Sequence, residues 1–137
     1  MNYLQQDPYG MYRNQDFKSG PGPSLMGANT LIGNEVYNHK DDHLGEIKEI
    51  MLDTATGSVA YAVLSYGGVF GVGDKLFAVP WAALKLDTEN KRFVLNASKE
   101  QLKDAPGFDQ DAWPRMADRQ WGSAVHDYYG TRPYWDH

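Results

Sequence analysis

The sequence has no cysteine, no long apolar run and no excess of basic residues. The absence of cysteine excludes disulfides and thiolate metal sites, and it is compatible with a reducing compartment. Nowhere do 18 apolar residues follow one another, and residues 1–8 lack a basic and an apolar stretch, so we expect a cytoplasmic chain without a membrane span. Lysine plus arginine number 13 against 18 acidic residues, and this net charge of −5 disfavours nucleic acid as a partner.

Composition divides the 137 residues into three parts. Residues 1–27 are polar, punctuated by glycine and proline and without hydrophobic periodicity, so we expect a flexible, disordered arm. Residues 28–106 contain short alternating segments separated by turn residues, which predicts a mainly β fold, a small barrel, with a short helix. Residues 107–137 combine helical spacing with many aromatic side chains, which predicts a helical extension that packs on the barrel or on a second subunit.

The clearest strand lies at residues 59–66, where both alternating faces are apolar and indicate burial on both sides of a sheet. A first strand is predicted over residues 31–37. A second follows over residues 45–53, with a shift of alternation after Ile47 that is typical of a β-bulge. Residues 53–57 predict a hairpin turn that places Gly57 in the left-handed region. Shorter strands are predicted over residues 76–79, 84–86 and 93–95.

Two helices follow the predicted strands. Ser98 and Gln101 have the spacing of a capping box, which begins a short helix. A second helix has Asp118 as its expected N-cap and Gly130 just past its end. The apolar residues on and around this helix form the candidate interaction surface: Trp113, Trp121, Val125, Tyr128, Tyr129, Tyr134 and Trp135.

A glycine-dense loop separates two apolar segments at residues 67–81. Gly68 and Gly73 have the spacing of a phosphate-binding loop, but Asp74 stands where that motif needs lysine, so the loop is predicted to be structural. Proline has no N–H to donate, which places Pro80 at a strand end or edge. Trp81 is predicted to be core. The residues assigned to the structural turn and core are Gly67, Gly68, Gly71, Gly73, Pro80 and Trp81.

Candidate chemistry is sparse. His39 and His43 flank two aspartates in a pattern that suits Zn²⁺ or Ni²⁺, although the same residues are ordinary turn formers, and we predict a solvated turn without metal. The pair at residues 126–127, a histidine and an aspartate, is likewise predicted to be solvated. Ser65 and Ser123 lack the glycines of a nucleophile elbow. We therefore predict no catalytic residue and no cofactor.

Several segments, in unbroken order, resemble the PRC-barrel family, within about residues 30–96. The most specific part is the Gly-Gly-x-x-Gly-x-Gly loop with the following Val-Pro-Trp, and the other matching segments are residues 31–37, 44–53 and 61–64. The family includes the cytoplasmic domain of the photosynthetic reaction-centre H subunit, the C-terminal domain of a ribosome-maturation factor and stand-alone bacterial proteins. The resemblance implies a small β-barrel that acts as a non-enzymatic interaction or scaffold module in a bacterial cytoplasm.

Three other functions stay open at this point. An RNA or ribosome adaptor needs a local basic patch, and a metal or small-molecule sensor needs further ligands near His39 and His43. An assembly factor for a membrane complex needs an apolar face left exposed. The protein partner is not identified by the sequence, and a homodimer is one possibility.

Overall fold

The computed structural model describes residues 2–12, 25–66 and 75–136. The glycine loop at residues 67–73, with Gly67, Gly68, Gly71 and Gly73, lies outside the described residues. The elements in chain order are α1 (Ala28–Leu31), β1 (Glu35–Tyr37), β2 (His43–Leu52), β3 (Val59–Tyr66), β4 (Lys75–Pro80), a 3₁₀ turn (Trp81–Ala83), β5 (Leu84–Asp87), β6 (Arg92–Leu95), α2 (Lys99–Lys103), α3 (Arg119–Tyr129) and a 3₁₀ turn (Tyr134–Asp136).

The six strands form one curled sheet, a half-barrel, in the order β4-β3-β2-β1-β6-β5. Neighbouring strands are antiparallel except β1 and β6, which run parallel. Strands β4 and β5 are the edges of the sheet. At the edge of β4, Leu76 and Phe108 exchange two backbone hydrogen bonds, of 2.9 and 2.8 Å, so the start of the C-terminal extension continues the sheet there. The predicted mainly β fold class is confirmed.

The hairpin of β2 and β3 matches the sequence prediction closely. The register between the two strands shifts between Ile47 and Glu49, where the β-bulge was predicted. In the turn, Gly57 has a φ of 79° and its N–H donates to the Asp53 carbonyl at 2.7 Å. Glycine reaches this left-handed conformation without a Cβ clash, so the turn fits its sequence. Pro80 is the last residue of β4, as expected.

Strand β3 is buried on both faces, as predicted. Ala62 and Leu64 belong to the main core inside the half-barrel, which also contains Leu44 and Phe77. Tyr61 belongs to a second, smaller core that β3 and β4 form together with Val125 of α3. The C-terminal helix therefore covers a face of the sheet of its own chain.

The predicted first strand over residues 31–37 is wrong in its first half. Leu31 ends the helical turn α1, and the strand begins only at Glu35. The fully buried Asn34 side chain donates to the carbonyls of Thr30, at 2.7 Å, and Leu31, at 3.0 Å. These side-chain bonds satisfy the carbonyl groups at the end of the helical turn. In an extended chain the same carbonyl groups would lack these partners.

The predicted flexible arm covers residues 1–27, but residues 2–12 pack on the rest of the domain. Tyr3 is 9% exposed and belongs to the main core. The buried Asp7 carboxylate accepts the N–H groups of Met11, at 3.0 Å, and Tyr12, at 2.7 Å. Residues 13–24 lie outside the described residues, so the prediction for them stays a prediction.

The predicted N-caps of α2 and α3 and the predicted C-terminal end of α3 are confirmed. The Ser98 hydroxyl accepts the Gln101 N–H at 3.0 Å, and the Asp118 carboxylate accepts the Gln120 N–H at 2.9 Å. Gly130 ends α3 with a φ of 71°. Among the described residues, no helix has both the length and the apolar character that crossing a membrane requires.

Candidate functional site

Helix α3 and the turn after it hold most of the predicted aromatic surface against the sheet. The Tyr61 ring of β3 lies 5.3 Å from Trp121 and 5.8 Å from Tyr134, in edge-to-face contacts. Val125 is 4% exposed, and the Tyr128 hydroxyl donates to the Gln101 carbonyl. Such aromatic pairs add to the stability gained from area burial. These side chains therefore cover the barrel of the same chain.

Among the seven predicted interaction residues, only Trp113 is exposed, at 42%. Its ring lies 5.0 Å from Phe108, beside the edge of β4. Tyr129 is partly buried, and burial raises the pKa of its hydroxyl far above the ordinary value. Most of the predicted surface is thus partly buried against the sheet of the same chain.

A groove of about 390 Å³ separates the β2–β3 hairpin from the segment that leads into α3. The sequence analysis missed it. Leu52, at the end of β2, is 57% exposed beside it, and Met51 and Met116 are partly buried. The apolar and polar residues that line the groove are Met51, Leu52, Asp53, Thr54, Ala60, Tyr61, Met116, Ala117, Arg119 and Tyr134.

The groove carries one carboxylate and one guanidinium. The Tyr134 hydroxyl donates to Oδ2 of Asp53 at 3.0 Å, and the Ala55 N–H donates to Oδ1 at 3.0 Å. The hydrogen bond from Tyr134 is the main reason why the pKa of Asp53 lies below its ordinary value. Arg119 lies over the Trp135 ring at 5.3 Å and takes part in none of the ion pairs among the described residues. The charge of Arg119 also lowers the pKa of Asp53, as the weakest of its causes, without a direct ion pair between the two groups.

His126 was predicted to be solvated, and that prediction is wrong, because the ring is 1% exposed. The Tyr61, Tyr134 and Trp135 rings surround it at 5.3, 6.0 and 5.6 Å. The available signal was helical spacing: His126 lies four residues after Gly122, on the same face of α3, and the absence of a side chain at Gly122 lets Tyr61 and Trp135 pack there.

Trp81 is partly buried and packs against the main core. It lies in the 3₁₀ turn after β4, and its ring packs on the core residue Phe93 at 5.8 Å.

The turn with His39 and His43 is a polar structure closed by its own side chains. The side-chain oxygen Oδ1 of Asn38 accepts the N–H groups of Lys40 and Asp42, both at 2.9 Å. His43 lies edge-on to Tyr37 at 5.2 Å. Within residues 2–12, 25–66 and 75–136, no three histidine or acidic side chains converge as a metal site would need.

Comparison with known proteins agrees with this architecture. A search of the curated proteins found no match. The family model of the PRC-barrel domain matches residues 23–102, which span β1 to β6 and most of α2. The chain, a curled half-barrel of six strands with an aromatic helical extension, thus belongs to the PRC-barrel family.

Proposed function

We propose that the chain is a non-enzymatic protein-interaction module that acts as a scaffold in the cytoplasm and binds a partner through the groove beside Leu52. The observation that carries the proposal is the 57% exposure of Leu52 next to the partly buried Met51 and Met116. Exposed apolar surface with a polar rim is typical of protein-binding sites. Leu52 itself belongs to neither core, whereas Met51 and Met116 at the floor of the groove pack against the second core.

The groove suits a protein segment that carries an apolar side chain beside a carboxylate. Methionine side chains adapt to different shapes, so Met51 and Met116 can close on an aliphatic or aromatic residue. The Arg119 guanidinium at the rim supplies the charge for an aspartate or glutamate, since Asp53 already accepts Tyr134. Nucleic acid fits poorly, because one cation in a chain of net charge −5 gives little attraction to a phosphate backbone.

The polar groups of the groove support binding rather than catalysis. A general base is most effective when its pKa lies near the working pH. The hydrogen bond from Tyr134 holds the pKa of Asp53 below its ordinary value, which makes this carboxylate a weak base. Burial raises the pKa of Tyr61 to about 12 and also raises the pKa of Tyr134, so both hydroxyl groups of the groove stay neutral.

Affinity purification from the native host tests the proposal with matched variants. Leu52→Glu places a charge in the groove, and Leu25→Glu places the same charge at another exposed leucine, which is 66% exposed. We expect a partner that the wild type and the Leu25 variant retain and the Leu52 variant loses. A partner retained equally by all three proteins contradicts the groove. Loss from both variants also contradicts it, because the effect would then be general.

Light scattering separates a foreign partner from a second copy of the chain. If a copy occupies the groove, the wild type is a dimer and the Leu52→Glu variant a monomer. That result would contradict the proposed foreign partner while keeping the groove as a contact surface. Unfolding curves of both variants serve as the control for intact folding.

A further inference from the structure

Trp113 is the exposed tryptophan of this chain. It is 42% exposed, whereas the other three tryptophans are partly buried: Trp81, Trp121 and Trp135. It lies on the connecting segment, residues 104–118, which joins α2 to α3, and it does not line the groove. Tryptophan is enriched among the residues that contribute most of the binding energy at protein interfaces. The exposed ring therefore marks a contact surface separate from the groove.

The sheet holds Trp113 in a fixed position. Phe108 exchanges two backbone hydrogen bonds with Leu76 of β4, and the Trp113 ring packs on the Phe108 ring at a centroid distance of 5.0 Å. Gly107 lies so close to β4 that a Cβ there would be 2.9 Å from the Leu76 carbonyl oxygen. A side chain that is already held in place loses little conformational entropy when a partner binds. The side of the indole ring that Phe108 does not cover is thus ready for contact.

Negative charge accompanies the tryptophan. The connecting segment contains four aspartates and a single basic residue, Arg115. Asp109 and Asp111 are both exposed, and neither takes part in an ion pair among the described residues. The Ala112 N–H donates to the Asp109 carbonyl at 3.0 Å, so a tight turn brings the two aspartates close to Trp113. The segment therefore presents carboxylates beside an aromatic ring.

The basic residues around the segment do not cancel this charge. Lys75, at the start of β4, lies close to Gly107, and its ammonium lies over the Phe77 ring at 5.5 Å. Lys103 ends α2 directly before the segment. With these two lysines and Arg115 counted against the four aspartates, the formal charge of the region is still negative.

We propose that the Trp113 surface, formed by Phe108, Asp109, Asp111 and Trp113, binds a basic segment of a partner protein. An arginine or lysine side chain of the partner lies on the free side of the indole ring, whose face attracts a cation. The carboxylates of Asp109 and Asp111 pair with this charge or with that of a neighbouring basic residue. The surface is independent of the groove, so the two proposals can fail separately.

Charge complementarity selects this occupant over others. An acidic segment or a nucleic acid would meet two carboxylates without a cation, and like charges repel. A second copy of the chain, with its net charge of −5, would bring the same aspartates of two molecules together in a symmetric contact. A wholly apolar segment would use the ring and leave the carboxylates without a partner. A basic segment uses both.

Titration of the full chain with an acetylated hexa-arginine amide, followed by NMR through the indole N–H signals, tests the proposal. The four tryptophans give four such signals. We expect the signal of Trp113 to move as peptide is added, whereas the signals of Trp81, Trp121 and Trp135 should stay in place. Hexaglutamate should move none of them. Physiological salt in all samples screens attraction over long distances.

Matched variants show which groups bind the peptide. Trp113→Ala should raise its dissociation constant about threefold, the effect of losing an exposed contact between a cation and an aromatic ring. Asp109→Asn combined with Asp111→Asn should raise it to a similar extent, about threefold. Glu46→Gln combined with Glu89→Gln removes the same charge at two exposed positions elsewhere and should leave the dissociation constant unchanged. Unfolding curves serve as the control for intact folding.

Several results would overturn the proposal. Equal weakening by the two double variants means that the peptide follows net charge alone. Wild-type affinity of Trp113→Ala, or an indole signal of Trp113 that hexa-arginine leaves in place, removes the tryptophan from the contact. Movement of that signal with hexaglutamate identifies an acidic occupant, and movement with protein concentration in the absence of peptide identifies a second copy. If Trp113→Ala does not fold, the indole signals of the wild type and the aspartate variants still decide the outcome.

Discussion

Replacement of Gly122 by alanine tests the packing between α3 and the sheet. A Cβ at this position would lie 2.7 Å from the Tyr61 hydroxyl oxygen and 2.8 Å from a ring carbon of Trp135. Both distances are shorter than van der Waals contact. Tyr61 is 1% exposed and cannot move without disturbing its neighbours, so the methyl group must displace the Trp135 ring or the helix itself.

Two opposing effects determine the size of the change. At an open position inside a helix, alanine stabilises by about 1 kcal/mol relative to glycine. Overpacking a well-packed site costs about 1–3 kcal/mol. We expect a net destabilisation of about 1 kcal/mol, which in a domain of this size lowers Tm by about 4 °C.

Urea unfolding of Gly122→Ala in two backgrounds measures the effect. In the Trp135→Ala background one of the two obstacles is gone, so we expect the alanine to be less destabilising there or stabilising. If Gly122→Ala alone instead raises the free energy of unfolding by about 1 kcal/mol, the tight packing around Gly122 is refuted, because alanine has that effect at an open helix position.

Three further predictions concern other parts of the chain. Trp81→Ala should cost about 2 kcal/mol, below the range for a fully buried aromatic, and a loss of about 5 kcal/mol in urea unfolding would contradict its partial burial. Tyr3→Ala should cost about 3 kcal/mol although it lies in the polar N-terminal region, and an unchanged Tm would show that residues 2–12 do not pack. Tyr134 lowers the pKa of Asp53 from its ordinary value of 3.8. The ionised carboxylate therefore stabilises the fold at pH values above 3.8, and this contribution is lost as the pH falls below 3.8. Tyr134→Phe should therefore weaken the dependence of stability on pH below pH 4, and an unchanged dependence would refute the bond.

Local features of this fold could be predicted from the sequence because neighbouring residues determine them. Gly57 in its turn, Ser98 and Asp118 as helix caps, and the bulge after Ile47 each depend on a few consecutive residues. The double-sided burial of β3 was equally visible, since a short strand with apolar residues on both faces is typical of a sheet that is covered on both sides.

The site could not be predicted in the same way because it depends on how distant segments meet. In the sequence, Leu52 is one more apolar residue of a strand. It lines a groove only because residues 116–119, which are distant along the chain, lie beside it. His126 reads as a polar residue beside an aspartate, and its burial requires Tyr61 and Trp135 from two other elements. Tyr3 was assigned to a flexible arm because an isolated aromatic has no periodicity to reveal its burial.

The central claim, that the groove binds a partner protein, is tested most directly by site-specific photo-crosslinking in the native host. A photoreactive residue replaces Ala117 in the groove, and in a matched variant it replaces Tyr9, which is 79% exposed and does not line the groove. The account predicts a crosslinked product of defined mass from position 117 that is absent from position 9. A product from position 9 alone, from both positions equally, or from neither would contradict it.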